Sequence, residues 1–322
     1  MSLAVVFPGQ GSQRVSMGRD WANLPAAGEV FEAADRALGY AISTLCFDGP
    51  EEELRLTANQ QPAILTASYA AFQTIRDDLP PAVYFAGHSL GEYTALVAAG
   101  ALSFEDAVTT VHERGRLMQE AVPPGQGAMA AVLRLATAQI EEINQDVSRR
   151  LGQDLVVANF NSPEQTVVSG SAAAVREAIP LYEQAGAKRV VELPVSAPFH
   201  SPLMVPAADR LKPRLKSLSF AATRTPVIAN LTVEPYPADP AQYPLLLHAQ
   251  IFNPVRWVET CEYLAAHGVT HLLEVGPGKV LRMLTVKTVR DMKTCNVDRE
   301  EDRAQLAEWV GTLGDTDRGE EA

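Results

Sequence analysis

A serine between two glycines, in the run Gly87-His88-Ser89-Leu90-Gly91, is the residue of this sequence best placed for covalent chemistry. A short apolar stretch precedes this run and a long one follows it, so Ser89 stands where a strand turns into a helix. There a serine can act as a nucleophile on a strained turn, with the helix N-terminus favouring negative charge. A serine that only caps the helix fits the same five residues, but the strand and helix around it favour the nucleophile.

A serine hydroxyl needs a base, and His200 is the candidate. It lies in the loop Pro194–Pro202, where prolines restrict the backbone, and a loop histidine can reach a serine above a sheet. No aspartate or glutamate stands in a triad-like motif. His88 is next to the serine, so its side chain is expected to leave the turn in another direction. The other four histidines have positions typical of structural side chains: His112, His248, His267 and His271.

Alternating strands and helices must position the serine and the histidine. Leu3–Phe7 and residues 83–86 are apolar runs of strand length, and residues 90–99 continue as a helix that Gly100 ends. The first strand runs into the glycine-containing loop Pro8–Gln13. We therefore expect two loops at neighbouring strand ends, one of which carries the serine.

Two further helices are predicted in this part of the chain. The run Gln61-Pro62-Ala63 is interpreted as a helix start, and Ser103–Asp106 has the form of a capping box. The helix after the capping box carries Arg114 and Arg116, which point to different faces because they are two residues apart. Only one of them can face a site above Ser89, and taken alone an arginine on a helix is more typical of a solvated surface.

Residues 127–196 follow a pattern of their own, strand-helix-strand-strand-helix-strand, which is that of the ferredoxin-like split unit. The chain then returns to short apolar strands, at residues 226–230 and 271–275, separated by helical segments. We predict an α/β fold, with an α/β-hydrolase-like large domain of residues 1–126 and 197–322. The small domain, residues 127–196, is predicted to be an inserted ferredoxin-like (βαββαβ) unit.

The composition is that of a globular protein and limits its partners. The chain has 322 residues, 47% of them hydrophobic and 20% charged, and a formal net charge of −12, so nucleic acid and anionic membranes are not expected partners. Its three cysteines are far apart, which predicts neither disulfides nor a cysteine metal site. The first residues lack a basic signal-peptide region, and no run reaches the ~18 apolar residues of a membrane span. We expect a soluble cytoplasmic protein whose last dozen residues form a frayed acidic tail.

Six phrases in a fixed order carry a resemblance to a known family. They are Val6-Phe7-Pro8-Gly9-Gln10-Gly11-Ser12-Gln13, Gly87-His88-Ser89-Leu90-Gly91-Glu92-Tyr93, Arg114-Gly115 followed by Leu117-Met118-Gln119, Ala158-Asn159-Phe160-Asn161-Ser162-Pro163, Phe199-His200 and Glu274-Val275-Gly276-Pro277-Gly278. In this order they resemble the malonyl-CoA:acyl carrier protein transacylases and the acyltransferase domains of polyketide synthases. The resemblance extends from residue 4 to about residue 290. Each phrase alone is weak, and the ordered set is specific.

The resemblance implies a catalytic arrangement. Ser89 would attack a malonyl thioester to form a malonyl-enzyme ester, with His200 as its base. A backbone carbonyl near Gln250 would orient the histidine, and the backbone N–H groups of Gln10 and Leu90 would form the oxyanion hole. Neither a cofactor nor a metal is implied.

The resemblance also implies how the acyl group is bound. Arg114 would pair in bidentate fashion with the free carboxylate of malonate. Relatives that hydrolyse stalled acyl chains bind no carboxylate and tend to lack this arginine, so its presence favours transfer over hydrolysis. Phe199 before the histidine accompanies malonyl rather than methylmalonyl, although Pro198 departs from the form found in modular synthases. Asn161 and Gln61 match other positions that line the family's site.

The implied partners are coenzyme A thioesters and an acyl carrier protein of fatty-acid or polyketide synthesis, for a protein expected to be a monomer. Because carrier proteins are acidic too, docking would need a local basic patch. One candidate is Lys188-Arg189, and another is a helical face that would hold Lys279, Arg282, Lys287 and Arg290; ordinary solvated charges remain an alternative for both. Two other functions stay open: an editing acyl hydrolase of a polyketide synthase, and a non-catalytic protein that docks carriers.

Overall fold

Strand β1 (Leu3–Phe7) lies at the centre of the main sheet, and all five of its apolar residues are buried. The structure is a computed structural model that describes residues 2–195 and 197–314. Within these ranges the strands are β1 (Leu3–Phe7), β2 (Ala82–Gly87), β3 (Gly127–Leu133), β4 (Leu155–Ser162), β5 (Gln165–Ser171), β6 (Arg189–Glu192), β7 (Val227–Ile228), β8 (His271–Val275) and β9 (Lys293–Val297).

Helices fill most connections between the strands. They are α1 (Arg19–Ala22), α2 (Pro25–Leu38), α3 (Ile42–Asp48), α4 (Glu51–Leu54), α5 (Thr57–Ile75), α6 (Leu90–Ala98), α7 (Phe104–Glu120), α8 (Thr137–Leu151), α9 (Ala172–Gln184), α10 (Val205–Ser217), α11 (Tyr243–Gln250), α12 (Trp257–Ala266), α13 (Val280–Thr288) and α14 (Asp302–Gly314). Single 3-10 turns occur at Arg76–Asp78, Pro202–Met204 and Pro240–Gln242.

The main sheet is parallel, with the strand order β7-β2-β1-β8-β9. Helices cover it, which is why β1 and β8 are buried along their whole length rather than at alternate residues. All carboxyl ends of parallel strands meet at one edge, so the loops that follow Phe7, Gly87 and Val275 converge there. The chain is thus a mixed α/β protein built on a parallel sheet, and its chemistry is expected at that edge.

A second sheet has the order β4-β5-β3-β6, and every pair in it is antiparallel. Helices α8 and α9 pack on one face over a cluster that includes Val132, Val168 and Tyr182. Side chains that point to the other face, among them Met129 and Val167, join the core of the main sheet. The alternation along each strand therefore serves two cores, one on each side.

The helix that contains Pro62 begins earlier than the sequence predicts. α5 starts at Thr57, so the predicted start at Gln61-Pro62-Ala63 is wrong. A proline inside a helix leaves the carbonyl four residues before it without its usual donor. Here the carbonyl of Ala58 instead lies 2.9 Å from Nδ1 of His112, which takes the place of the missing N–H. A residue distant in sequence thus allows the helix to continue through the proline.

Other differences lie towards the C-terminal end. Strand β9 was not predicted, because as an edge strand it buries only Cys295 and Val297. Of the strand predicted at 226–230, only Val227–Ile228 pairs in the sheet. α14 reaches Gly314, and the rest of the predicted acidic tail lies outside the described residues. None of the helices described here is long and apolar enough to span a membrane.

Candidate active site

Ser89 lies on a sharp turn between β2 and α6. Its backbone has φ 51° and ψ −100°, which few L-residues adopt. The flanking glycines are required by contact: a Cβ on Gly87 would lie 1.9 Å from the carbonyl carbon of Gly91, and a Cβ on Gly91 would lie 2.0 Å from the carbonyl oxygen of Phe7. The hydroxyl points to His200 rather than to the first N–H groups of the helix. The geometry is that of a nucleophile turn, not of an N-cap.

His200 is in direct contact with the serine. Its Nε2 lies 2.8 Å from Oγ of Ser89, and its Nδ1 lies 3.0 Å from the carbonyl oxygens of both Gln250 and Asn253. Because carbonyl oxygens only accept hydrogen bonds, Nδ1 carries the proton, and Nε2 of the neutral ring accepts from the serine hydroxyl. The structure therefore brings the predicted pair together and places the carbonyl of Gln250 on the imidazole. The second carbonyl, that of Asn253, was not found from the sequence.

The environment of His200 keeps its imidazole neutral. Burial lowers the pKa of His200 to about 3, and the charge of Arg114 and the nearby His88 act in the same direction. The two carbonyl acceptors oppose this shift without cancelling it. A neutral ring with a free Nε2 lone pair is the form that can take a proton from a hydroxyl.

Two backbone donors stand near the nucleophile. Leu90 directly follows Ser89 at the start of α6, and Gln10 lines the same cleft as Ser89 and His200. Within the described part of the chain, neither the N–H of Gln10 nor that of Leu90 donates a hydrogen bond to a protein acceptor. Both groups are thus available to an oxygen atom of a bound substrate.

Arg114 is buried on the inner face of α7 and reaches the serine. Its guanidinium donates to Oγ of Ser89 (2.9 Å) and to the side-chain oxygens of Gln61 (2.7 Å) and Gln250 (2.9 Å). Its Nε has no hydrogen-bond partner among the described residues. Arg116 faces outward and pairs with the carboxylate of Glu120, the helix partner four residues on (2.9 Å). The buried arginine meets only neutral acceptors and can still bind an anion.

Of the remaining predicted binding residues, one lines the cleft and two contact other side chains of the protein. Phe199 lines the cleft, of about 420 Å³, together with Ser89 and His200. Gln61 is fully buried and contacts the guanidinium of Arg114 rather than open space. The side-chain oxygen of Asn161 lies 2.9 Å from Nε2 of His88, behind the nucleophile turn.

A buried polar cluster behind Ser89 was missed by sequence reasoning. The side-chain oxygen of Asn230 accepts from the Ser89 N–H (2.7 Å), and its amide donates to the carbonyl of Gly87 (2.7 Å). The side-chain amide of Gln250 donates to the carbonyl of Ser89 and to the carboxylate of Glu92, both at 2.9 Å. One signal was present in the sequence, since Glu92 is the charged residue within the apolar run 90–99.

The second sheet is hydrogen-bonded to the loop that orients the histidine. The N–H of Phe160 on β4 donates to the carbonyl of Val255, and the N–H of Val255 donates to the carbonyl of Ala158, each at 2.9 Å. Val255 follows Asn253 by two residues, and the carbonyl of Asn253 accepts from His200. The edge of β4 and the base of the catalytic pair are therefore mechanically linked.

The predicted basic face near the C-terminus is wrong as a single helical face. Lys279 is the N-cap of α13 and Arg290 lies two residues beyond its last residue, so neither is in the helix. Of the two cations that do, Arg282 donates to the side chain of Asn296 (2.8 Å), and Lys287 lies 3.7 Å from a carboxylate oxygen of Glu164. The other candidate, Lys188-Arg189, is exposed at the start of β6. Within the described residues no group of three or more His, Cys, Asp or Glu side chains could hold a metal ion.

Comparison with known sequences gives a consistent result along the whole chain. The model of the family described as "Acyl transferase domain" matches residues 4–314. The malonyl CoA-acyl carrier protein transacylase of Escherichia coli (strain K12) is 47% identical over 290 residues, which are 89% of this chain and 93% of that protein. The protein of the same name from Bacillus subtilis (strain 168) is 45% identical over 300 residues, 93% of this chain and 94% of that protein.

Solved structures agree with the sequences. The malonyl-transacylase PlMCAT, in complex with AntF, a holo acyl carrier protein of a type II polyketide synthase, is 41% identical with a TM-score of 0.92 and covers 96% of this chain and 99% of that one. The malonyl CoA-acyl carrier protein transacylase of Coxiella burnetii is also 41% identical, with a TM-score of 0.91, covering 97% of this chain and 96% of that one.

Proposed function

The chain belongs to the acyl transferase domain family, and from this we infer that it is a malonyl-CoA:acyl carrier protein transacylase. The family that the six sequence phrases predict is thereby confirmed. One observation carries the substrate assignment: a buried guanidinium, that of Arg114, lies 2.9 Å from the nucleophilic oxygen of Ser89. In a malonyl thioester one methylene separates the carboxylate from the reacting carbonyl, so a group that binds the carboxylate must lie this close to the nucleophile.

In the first half-reaction Ser89 takes the malonyl group from coenzyme A. Nε2 of His200 accepts the hydroxyl proton while Oγ attacks the thioester carbonyl. The oxyanion that forms is held by the N–H groups of Gln10 and Leu90, each donor being worth about 2.7–4 kcal/mol in such sites. Collapse of the tetrahedral intermediate breaks the carbon–sulfur bond, and the leaving thiolate takes the proton from Nε2. The products are free coenzyme A and a malonyl ester on the serine.

The second half-reaction runs the same steps in reverse. The phosphopantetheine thiol of a carrier protein gives its proton to Nε2 of His200, and its sulfur attacks the ester carbonyl. The same backbone donors hold the oxyanion, and Oγ of Ser89 leaves with the proton from His200. This is a ping-pong mechanism, in which the ester must be protected from water between the two substrates.

Binding of the acyl group depends on the residues around the guanidinium. In the substrate complex Arg114 turns two N–H groups to the malonyl carboxylate in a bidentate pair. Gln61 holds the guanidinium from behind, and Asn161 holds His88 and through it the nucleophile turn. The ring of Phe199 fills the space that an α-methyl branch would occupy, a discrimination worth about 1–3 kcal/mol.

The two sheets suggest a division into domains. We propose that residues 1–126 and 197–322 form an α/β-hydrolase-like catalytic domain, and that residues 127–196 form a ferredoxin-like insertion. The order β4-β5-β3-β6 with α8 and α9 on one face supports this division. Substrates enter through the cleft between the two sheets, which both Ser89 and Met129 line.

The partners follow from the reaction. A coenzyme A thioester donates the acyl group and an acyl carrier protein receives it, as in the solved complex of the relative. The enzyme is proposed to work in the cytoplasm as a monomer, without a bound cofactor. The editing hydrolase is not favoured, because the buried cation of Arg114 suits a carboxylate that such substrates lack. The contact between Ser89 and His200 argues against a non-catalytic docking protein.

The experiment that tests this function follows the malonyl group through both steps by intact mass. Mixing the enzyme with malonyl-CoA is expected to add the mass of one malonyl group to the enzyme. When holo carrier protein is then added, the enzyme is expected to lose this mass and the carrier protein to gain it. Ser89→Ala, which keeps the fold but has no hydroxyl, is expected to show no adduct. Hydrolysis of the adduct that is equally fast with and without carrier protein would instead indicate the editing hydrolase.

A further inference from the structure

Glu92 is a buried carboxylate that the mechanism above does not use. It lies in the first turn of α6, three residues after the nucleophile, and is 1% exposed. Its carboxylate accepts hydrogen bonds from the hydroxyl of Tyr236, from the N–H of Asn230 (3.0 Å) and from the side-chain amide of Gln250 (2.9 Å). Two of these groups can only donate, which favours the ionised form of the acid. Burial raises the pKa of Glu92, and these donors oppose that shift by stabilising the carboxylate, which does not line the substrate cleft.

The cation of the site, Arg114, lacks a carboxylate in contact. All of its hydrogen bonds go to neutral oxygens, those of Ser89, Gln61 and Gln250. Removing a guanidinium from water without a counter-charge is strongly unfavourable. Burial raises the pKa of Glu92 and lowers that of Arg114, and the charge of each residue opposes the shift of the other, so the two act on one another across the intervening amide.

The amide of Gln250 joins the two charges in one orientation. Its oxygen accepts from Arg114 and its nitrogen donates to Glu92, both at 2.9 Å. If the amide rotated by half a turn, its N–H groups would face the guanidinium and its oxygen would face the carboxylate, so both contacts would become repulsive. The same residue also supplies the backbone carbonyl that accepts from His200. A single residue, through its side chain and its backbone, therefore connects the cation, the carboxylate and the base.

We propose that Glu92 is a positioning residue for malonyl selectivity: as the counter-charge of Arg114, it fixes the amide of Gln250 and so aims the guanidinium at the carboxylate of the acyl group. This rests on the proposed malonyl transfer. Without the negative charge, only the carbonyl of Ser89 and the guanidinium itself hold the amide in this orientation, so one of the three contacts of the guanidinium is weakened. Acyl groups that have no carboxylate do not depend on that aim.

The test compares loading of malonyl-CoA and acetyl-CoA in the wild type and in Glu92→Gln, by single-turnover kinetics with intact mass as the readout. Glutamine keeps the shape of the side chain and one acceptor but removes the charge. Malonyl loading is expected to fall roughly 10- to 100-fold, as for a hydrogen-bonded charge, and acetyl loading to change by less than about threefold. A residue that mattered only for folding would slow both substrates alike.

The matched control is Glu274→Gln, the same change at another fully buried glutamate. Glu274 on β8 accepts from the backbone N–H of Arg282 (2.7 Å) and contacts none of the site residues named above. Its malonyl-to-acetyl ratio is expected to equal that of the wild type. If Glu92→Gln does not fold, Tyr236→Phe removes one donor to the carboxylate, and the ratio is expected to fall about 3- to 10-fold.

A double-mutant cycle with Arg114→Ala tests the route of the effect. If Glu92 acts through the guanidinium, Glu92→Gln should change malonyl loading by less than about threefold once Arg114 is absent. Additive losses, or an unchanged ratio in Glu92→Gln or its substitute Tyr236→Phe, would overturn the inference while leaving malonyl transfer intact. A wild-type enzyme that accepts no malonyl group would overturn the proposed function and this inference with it.

Discussion

Replacing Arg114 with alanine is the sharpest test of how this enzyme recognises its substrate. The guanidinium is fully buried and has an Nε without a partner among the described residues, beside the nucleophile Ser89. In Arg114→Ala a malonyl carboxylate would enter the same closed space and find no cation. An acetyl group would meet only a larger cavity.

The expected magnitude follows from burial. Removing one partner of a buried ion pair costs about 3–5 kcal/mol, because the other charge stays desolvated and unpaired. At about 1.4 kcal/mol for each factor of ten, malonyl loading should fall by roughly 10²- to 10⁴-fold. The variant also loses the hydrogen bond from Arg114 to Oγ of Ser89, but that loss is common to both acyl groups. The ratio of malonyl to acetyl loading therefore isolates the carboxylate contact.

The assay measures the second-order rate of ester formation from malonyl-CoA and acetyl-CoA by rapid quench and mass spectrometry. Arg116→Ala is the control, since this arginine lies two residues away on the same helix but is exposed and paired with Glu120. It should load both acyl groups at wild-type rates. Equal losses for malonyl and acetyl in Arg114→Ala would refute the role of the guanidinium as a carboxylate clamp.

Three further predictions concern charge and capping. Because the pKa of His200 is lowered to about 3, ester formation should be nearly as fast at about pH 5 as at pH 7.5. With an unshifted histidine, the rate at about pH 5 would be about 30-fold lower than at pH 7.5. A stopped-flow pH profile in which the rate falls below about pH 6.5 would contradict this. The pKa of Glu274 is raised to about 7, chiefly by burial, so this acid stabilises the fold at low pH and loses that contribution as the pH rises through about 7. The free energy of unfolding, measured with urea, should fall between about pH 5 and 8 by about 3 kcal/mol more in the wild type than in Glu274→Gln. If the unfolding free energies of the two proteins depend on pH in the same way, this prediction is refuted. Ser103→Ala should lower the unfolding free energy by about 1 kcal/mol, because Oγ of Ser103 accepts from the N–H of Asp106 at the start of α7; an unchanged thermal midpoint would show that this cap is dispensable.

Much of the site could be read from the sequence because its key residues lie in short, local patterns. The strand, the glycines and the helix around Ser89 are contiguous, and the steric need for Gly87 and Gly91 follows from the turn itself. Apart from the family resemblance, His200 could be identified only as a loop residue with sufficient reach, and its contact with Ser89 joins residues 111 positions apart. The role of Gln250 came from family resemblance and not from any pattern in the residues.

What could not be predicted depends on contacts between distant segments. Asn253 orients the histidine through a backbone carbonyl, a group that every residue has and no motif reveals. Pro62 was interpreted as a helix start, because nothing nearby in sequence shows that His112 satisfies the carbonyl of Ala58. The extent of α13 was overestimated because its charges suggested one face, whereas Lys279 is the cap. In each case the deciding partner is remote.

The hydrogen bonds between β4 and Val255 have a consequence for engineering. Exchanging residues 127–196 for those of a relative replaces the strand whose Ala158 and Phe160 hold Val255, and with it the support of the carbonyl of Asn253. A chimera with a shifted edge would move the imidazole away from its serine, however well the transplanted unit folds. Grafts intended to change the specificity for the acyl group should therefore include segment 250–255, because the inserted sheet supports the residues that orient the catalytic histidine.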